Sequence, residues 1–208
     1  MKKRIYIIAF FTSFASSNAA GQDLTKMIRE KSESIQGQLT NWRRHLHRHP
    51  ELGNHEFKTA AYITDQLKGL GLEIKTGVAK TGIVAVLKGG KPGPVIALRA
   101  DMDALPVKER VNIPFASTDS TLYNGTKVPV MHACGHDAHV AMLLGAATVL
   151  SSMKKDIAGT VKFIFQPAEE GPPEGEEGGA GLMVKEGVME NPRVDVIFGM
   201  HIESWIPA

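Results

Sequence analysis

The chain has 208 residues, of which 43% are hydrophobic and 22% charged, as in an ordinary soluble globular protein. This length suffices for one good-sized core, or for one domain plus a fragment. The formal net charge of +2, with scattered basic residues, gives no indication of a nucleic-acid partner. The single cysteine, Cys134, excludes an internal disulfide and leaves three roles for its side chain: buried filler, reactive thiol or metal ligand.

The first twenty residues have the pattern of a secretory signal peptide. A positively charged start (KKR) precedes an apolar run over residues 5–15, and the small residues around Ala19 and Ala20 suit cleavage. The run is shorter than the roughly 20 residues that a membrane-spanning helix needs. We therefore predict that residues 1–20 are removed, that residues 21–208 form the mature part, and that the protein is secreted or periplasmic with no membrane contact after cleavage. An uncleaved anchor or a buried helix is the alternative.

Hydrophobic periodicity predicts alternating helices and strands. In chain order these are a helix over residues 23–48, a helix over 55–70, strands over 73–76, 83–88 and 95–100, a helix over 140–150, a strand over 161–165, a helix over 180–186 and a strand over 194–199. A turn is expected at residues 89–94 and an irregular stretch over 106–129, and Asp137 is the expected cap of the third helix. This alternation indicates an α/β fold with a mostly parallel sheet.

Acidic and histidine side chains follow three of the predicted strands directly. They are Asp101 and Asp103, Glu169 and Glu170, and His201. Ligands of open α/β sheets bind at the carboxyl ends of the strands, so these side chains are expected to converge. Their shared placement is stronger evidence than any one of them.

A metal site is predicted from the motif MHACGHD. Within it Gly135 permits a sharp turn, so the side chains of Cys134 and His136 can face one point. With Glu170 and His201 they form a Cys-His-Glu-His set suited to Zn²⁺, Mn²⁺, Co²⁺ or Ni²⁺. Taken alone, Cys134 is better explained as a buried structural thiol, so the prediction depends on the whole set.

The adjacent carboxylates Glu169 and Glu170 point in different directions after their strand. One can bind a metal while the other takes a proton from the water that the metal activates and passes it to a departing amide nitrogen. We assign Glu169 as the general base and Glu170 as the ligand; a solvated acidic loop is the alternative. Asp103 is expected to accept the second N–H of a ligating histidine, and Asp101 is a weaker candidate for that role, because one of the two aspartates can merely cap a loop.

The other histidines carry less information. His45, His47 and His49 are two residues apart on a predicted helix and cannot converge, so we interpret them as surface or packing residues rather than ligands. His132 and His139 are open: His139 lies near the start of the third helix, where it can contact substrate or simply pack.

Four motifs, in the same order, resemble those of the M20 metallopeptidase family. They are LRADMDALP at residues 98–106, MHACGHD at 131–137, FQPAEEG at 165–171 and GMH at 199–201. They are similar to the amidohydrolase branch that includes hippurate hydrolases, N-acyl-amino-acid deacetylases and plant auxin-conjugate hydrolases. Residues 42–52 are also similar to the start of that branch, and the resemblance covers nearly everything after the leader.

The resemblance implies a three-layer, zinc-peptidase-like catalytic domain that cleaves the amide bond of N-acyl amino acids. It places metal ligands at Cys134, His136, Glu170 and His201. It also implies a general base at Glu169, an orienting aspartate at Asp103, and two divalent ions, Mn²⁺ or Zn²⁺ in the first instance, bridged by Cys134. Many members of the wider family have histidine where Asp101 stands and aspartate where Cys134 stands.

Members of that family are much longer than this chain. They carry a lid domain after the His201 region, which often serves dimerisation, and a C-terminal part that brings one more histidine ligand. We therefore expect an incomplete catalytic domain that binds metal poorly and has little activity, and a homodimer only through the missing lid domain. The alternatives are a dipeptidase or carboxypeptidase of the same mechanism, acting on a short peptide as its small-molecule substrate, and a catalytically inactive metal-binding fragment.

Overall fold

The computed structural model describes residues 14–202, with side chains from Asp23 onward. Helix α1 (Phe14–Ser34) belongs to a compact unit of its own, Met1–Gln36, and the other elements lie in a second unit. Among the described residues, the helices are all too short or too polar to cross a membrane. The predicted leader lies largely outside the described residues and stays a prediction.

The described part of the second unit contains four helices and seven strands. They are α2 (Gln36–Arg48), α3 (Phe57–Leu67), β1 (Glu73–Val78), β2 (Gly82–Lys88), β3 (Lys91–Asp101), β4 (Ser120–Tyr123), β5 (Thr126–Pro129), α4 (His136–Ser152), β6 (Ala158–Gln166), α5 (Gly179–Lys185) and β7 (Val196–Gly199), with a 3₁₀ turn at Lys154–Asp156.

The single helix predicted over residues 23–48 is wrong, because the segment forms two helices that meet at a turn. The N–H of Ile35 donates to the carbonyl of Ser32 at 3.3 Å, the i→i−3 bond of a tightened last turn. Gly37 follows, and the helix propensity of glycine is about 1 kcal/mol less favourable than that of alanine. The apolar periodicity continues across this break, so it could not reveal the turn.

Two loop predictions were also wrong. The stretch expected to be irregular contains the hairpin of β4 and β5, which turns at Asn124 and Gly125 with φ of 48° and 78°. An Asn-Gly pair between short strands is a strong hairpin signal. The turn expected at residues 89–94 is shorter, because β3 already begins at Lys91, and the pairing shifts register between Lys91 and Val95. Prolines are tolerated in strands at such irregularities.

The main sheet has the strand order β1-β2-β6-β3-β7. Strand β3 pairs in parallel with β6 and β7, whereas β2 is antiparallel to both of its neighbours and so runs against the other four strands. The prediction of an α/β fold with a mostly parallel sheet is confirmed. Because Asp101 is opposite Gln166 and Arg99 is opposite Gly199, β3, β6 and β7 end at the same edge.

The alternation of side chains along β6 divides the core into two layers. Phe163 and Phe165 face the helices α2, α3 and α4, and pack with Ile63 and other apolar residues of those helices. Ile164 faces the other way and packs with Met183 of α5. The sheet is thus covered on both sides, which gives the three layers expected of this fold.

A buried lysine joins β6 to the segment that leads into β7. Lys162 is 1% exposed, and its Nζ donates to the carbonyls of Val188, Glu190 and Pro192 at 2.9, 2.8 and 2.8 Å. Three acceptors match the three donors of an ammonium group, so the charge is buried without an unmet hydrogen bond.

Strand β7 lies at the end of the described sheet and is exposed along its whole length. Its apolar side chains Val196, Ile197 and Phe198 are 45%, 47% and 58% exposed. The strand nevertheless holds its register with β3 over four residue pairs.

We expect Phe163→Ala to destabilise the protein by about 3–5 kcal/mol, because Phe163 is fully buried at the centre of the sheet. Phe57→Ala is the matched control, since Phe57 is 63% exposed, and should cost less than about 0.5 kcal/mol. Denaturant unfolding of both variants measures the difference. Equal losses would show that this core is wrongly placed.

Candidate metal centre

The predicted site residues converge at the edge of the sheet where β3, β6 and β7 end. Asp101 closes β3, Glu169 and Glu170 follow β6, and His201 follows β7. The start of α4 supplies Cys134 and His136 from above this edge. The convergence predicted from the strand ends is therefore present in the fold.

Gly135 makes the turn that places the thiol and the imidazole together. It is the N-cap of α4 with φ of 89°, a left-handed conformation that glycine adopts without strain. The helix therefore begins at His136, and the prediction that Asp137 caps it is wrong. The Asp137 carboxylate instead accepts hydrogen bonds from Arg43 Nε at 3.2 Å and from His47 Nδ1 at 3.0 Å.

Asp103 fixes the orientation of the His136 ring. His136 Nδ1 lies 2.8 Å from the Asp103 carbonyl oxygen and 3.2 Å from its Oδ1, so Nδ1 carries the proton. Asp103 Oδ2 accepts the backbone N–H of Glu170 at 2.9 Å. Asp103 thus accepts the N–H of a histidine, as expected, and the same carboxylate also holds the loop of the acidic pair.

The candidate ligand atoms lie close together around His136 Nε2. This nitrogen is 3.7 Å from Glu169 Oε2, 3.8 Å from Glu170 Oε1 and 3.7 Å from Asp101 Oδ1. Cys134 Sγ lies 3.6 Å from His201 Nε2. Cys134, His136 and Glu170 each offer one donor atom, and these three atoms lie within 4.8 Å of one another.

These donors fit a divalent metal ion. His136 Nε2 is buried and has no hydrogen-bond partner among the described residues, although the ring is oriented so that its lone pair faces the cluster. Two ligands of one tetrahedral zinc ion lie roughly 3.3–3.7 Å apart, given metal–ligand bonds of about 2.0–2.3 Å. The separations around His136 and Cys134 are close to that range, and thiolate, imidazole and carboxylate are all zinc ligands.

The pKa values of the cluster favour a cation over a reactive thiol. Burial, with the hydrogen bond to Glu170 and the neighbouring carboxylates acting in the same direction, raises the pKa of Cys134 to about 12. A thiol of this kind is a poor nucleophile without a bound cation. Burial lowers the pKa of His136, but the hydrogen bond to Asp103 and the charge of Asp101 outweigh that effect and leave the pKa above its ordinary value.

The two histidines left open by the sequence differ in their positions. His139 lies in the site: together with Asp101, His136 and His201 it forms a second group whose ligand atoms lie within 4.8 Å of one another. His132 is buried, and neither of its ring nitrogens has a partner among the described residues. Burial lowers the pKa of His132 to about 4, so this imidazole is neutral.

The histidines of α2 are packing residues, as predicted. His45 stacks on Tyr62 with ring centroids 3.8 Å apart. His47 lies between two carboxylates, with Nδ1 3.0 Å from Asp137 and Nε2 2.8 Å from Glu109. The hydrogen bond with Asp137 raises the pKa of His47, against the opposing effect of burial. Because His47 ties α2 to the residue after His136, it supports the start of α4.

Sequence reasoning gave no role to Glu56, which holds the loop before the acidic pair. Glu56 is fully buried at the start of α3, and its oxygens accept the N–H of Ala168 at 2.8 Å and the O–H of Thr81 at 2.6 Å. Ala168 has φ of 47°, so the chain turns sharply directly before Glu169. No pattern in the sequence marks a lone glutamate that binds distant backbone.

The fold and the site together define an α/β protein with a candidate metal centre at the carboxyl ends of its parallel strands. The model of the peptidase family M20/M25/M40 matches residues 97–208, more than half of the 208 residues. The chain therefore belongs to this family, and the resemblance seen in the four motifs is confirmed.

Several curated relatives are similar to this chain. "Thermostable carboxypeptidase 1" of Saccharolobus solfataricus is 44% identical over 188 residues, which cover 89% of this chain and 44% of the relative. "N-acyl-L-amino acid amidohydrolase" of Geobacillus stearothermophilus is 44% identical over 180 residues, which cover 86% of this chain and 44% of the relative. The chain thus spans less than half the length of these relatives.

A solved structure has the same fold. The Bacillus subtilis YXEP protein, described as a dinuclear metal binding peptidase from the M20 family, matches with a TM-score of 0.72 and 42% identity. The match covers 84% of this chain and 45% of that chain.

We expect Glu56→Gln to remove a pH dependence of stability. Burial, opposed by the two hydrogen bonds, raises the pKa of Glu56 from 4.5 to about 7. The folded protein therefore binds a proton that the unfolded chain releases between these values, so stability from this group is full below pH 4.5 and is lost as the pH rises through 7. Between pH 4.5 and 8, the unfolding free energy of the wild type should fall by about 3 kcal/mol relative to that of the variant.

Denaturant unfolding with a chelator present measures this difference. Glu174→Gln, the same change on an exposed loop residue, is the control and should leave the pH dependence of the wild type in place. A Glu56→Gln curve parallel to the wild-type curve would contradict the assignment.

Proposed function

We propose that this protein is a metal-dependent amidohydrolase that cleaves the amide bond of N-acyl amino acids of the hippurate kind. The observation that supports it best is the cluster in which Cys134, His136, Glu170 and His201 meet, with the Glu169 carboxylate 3.7 Å from His136 Nε2. The relatives named as amidohydrolases and N-acetylcysteine deacetylases support the same reaction class.

We further propose that the cluster holds two divalent ions, of which Mn²⁺ and Zn²⁺ suit the donors best and Co²⁺ and Ni²⁺ come next. Cys134, His136, Glu170 and His201 would hold them. Bound ions would supply Lewis acidity, which polarises the substrate carbonyl and lowers the pKa of water toward about 7. The description of the YXEP protein as dinuclear supports the count of two.

Glu169 is proposed as the group that moves the proton. Its side chain is 37% exposed, so it borders the cluster on the side that solvent and substrate can reach. The carboxylate would take the proton of the attacking water and deliver it to the amide nitrogen as the C–N bond breaks. Asp103 would keep the Nδ1 proton of His136 in place, so that Nε2 stays available throughout the cycle.

A peptidase of the same mechanism is the second candidate. It is favoured by the similarity to a relative named as a carboxypeptidase. A metal-binding chain without catalysis is the third. Assays of the full-length protein on hippurate, N-acetyl amino acids and dipeptides separate the first two, and metal content without turnover of any of them would identify the third.

Export is proposed from the leader alone. The KKR start, the apolar run and the small residues before Gly21 support removal of residues 1–20 and a secreted or periplasmic location. Sequencing the N-terminus of the protein recovered from cell fractions tests this. A protein that keeps Met1 and stays inside the cell would refute it.

We expect Glu169→Gln to lower kcat by about 10²–10⁴ with the metal content unchanged, because the amide keeps the shape of the side chain but cannot accept the proton. The measurement is steady-state hydrolysis together with elemental analysis of the full-length protein. Glu174→Gln, in the same loop but away from the cluster, is the matched control and should keep its activity.

Hydrolysis that survives Glu169→Gln would refute the proposed base. A loss of metal along with activity would instead assign Glu169 to binding, which would exchange the predicted roles of Glu169 and Glu170.

A further inference from the structure

His139 connects the end of β3 to the segment that follows β7. It is the fourth residue of α4 and is buried. Its Nδ1 lies 2.5 Å from Asp101 Oδ1, and its Nε2 accepts the backbone N–H of Ile202 at 2.9 Å. Both ring nitrogens are therefore engaged, one with a side chain and one with the backbone directly after His201.

The partners of His139 fix its tautomer. Asp101 is a buried carboxylate whose other oxygen accepts from Arg99 Nη1 at 2.7 Å, so it accepts hydrogen bonds on both oxygens. Since a backbone N–H can only donate, Nε2 of His139 must be unprotonated and Nδ1 must carry the proton. The neutral ring therefore links an anchored aspartate to the main chain at Ile202.

This link acts where the pairing of the sheet has ended. The last pair between β3 and β7 is Arg99 with Gly199, so His201 lies two residues beyond the ladder. Its Nε2 is nevertheless 3.6 Å from Cys134 Sγ, and its ring centroid is 4.8 Å from that of His139. The strand pairing no longer restrains the backbone at His201. The hydrogen bond from the N–H of the next residue, Ile202, to His139 restrains it instead.

We propose that His139 is a positioning residue for His201, and that the chain Arg99–Asp101–His139–Ile202 holds the His201 imidazole at the metal centre. This inference rests on the proposed function, which makes His201 a ligand. A competing role for His139 is that of a ligand itself, since it belongs to the group with Asp101, His136 and His201. That role would require Nε2 to give up the Ile202 N–H.

A double-mutant cycle on the full-length protein separates these roles. His139→Phe keeps the ring but removes both nitrogens, and it should weaken Zn²⁺ or Co²⁺ binding about 10- to 100-fold. In a His201→Ala background the same change should weaken binding less than about threefold, because the group that His139 positions is gone. Chelator competition gives the affinities, and His49→Gln, a half-exposed histidine away from the site, is the control.

A second readout needs no metal. In the metal-free protein, amide hydrogen exchange at Ile202 should be protected in the wild type and accelerated at least tenfold in His139→Phe. If His139→Phe does not fold, His139→Asn replaces it: the shorter side chain can still donate to Asp101 but cannot reach Ile202, and it should give the same two results.

The outcomes identify which idea fails. Equal losses of affinity with and without His201 would overturn the inference and make His139 a ligand in its own right. Unchanged affinity and unchanged exchange would overturn it outright. If His201→Ala leaves metal binding intact, the ligand assignment within the proposed function fails first, and the positioning role falls with it.

Discussion

The site depends on one carboxylate that joins three parts of the fold. Asp103 follows β3, and it accepts hydrogen bonds from His136 at the start of α4 and from the backbone of Glu170 after β6. An ionised carboxylate accepts on both oxygens, so a single side chain sets the tautomer of a proposed ligand and the position of the acidic pair. Because the residue is 1% exposed, solvent does not compete for these bonds.

The electrostatics of the cluster explain why these groups tolerate one another. Asp101, Glu169 and Glu170 approach a thiol and an imidazole in a partly buried space, and like charges there are costly without a counter-charge. Without a metal, the thiol keeps its proton, and the neighbouring aspartates raise the pKa of His136 despite its burial. Arg99 forms an ion pair with Asp101, and a divalent cation would balance the negative charge of the other carboxylates.

Sequence reasoning succeeded where the signal was local and repeated. The strands of the main sheet, the shared edge at which β3, β6 and β7 end, and the cluster of strand-end side chains were predicted from apolar runs followed by acidic or histidine residues, whereas the hairpin of β4 and β5 was missed. It failed where the deciding contact is distant in the chain. Asp137 was wrongly predicted to cap α4. Its actual partners, Arg43 and His47, lie in a helix some ninety residues earlier, so no local pattern indicates them. Glu56 was given no role and His139 was left open between substrate contact and packing, because each accepts a hydrogen bond from a distant backbone N–H that no motif marks.

Strand β7 leaves an exposed apolar edge on the described part of the sheet. A strand with unpaired backbone groups and a row of solvent-facing aliphatic and aromatic side chains can add another strand or attract a second hydrophobic surface. Phe198 and Met200 precede His201 by three residues and one residue and are 58% and 63% exposed, so a surface that covered them would also shield the neighbouring imidazole from water. A surface that covers these side chains would therefore affect both the colloidal stability of the chain and the hydration of the His201 imidazole.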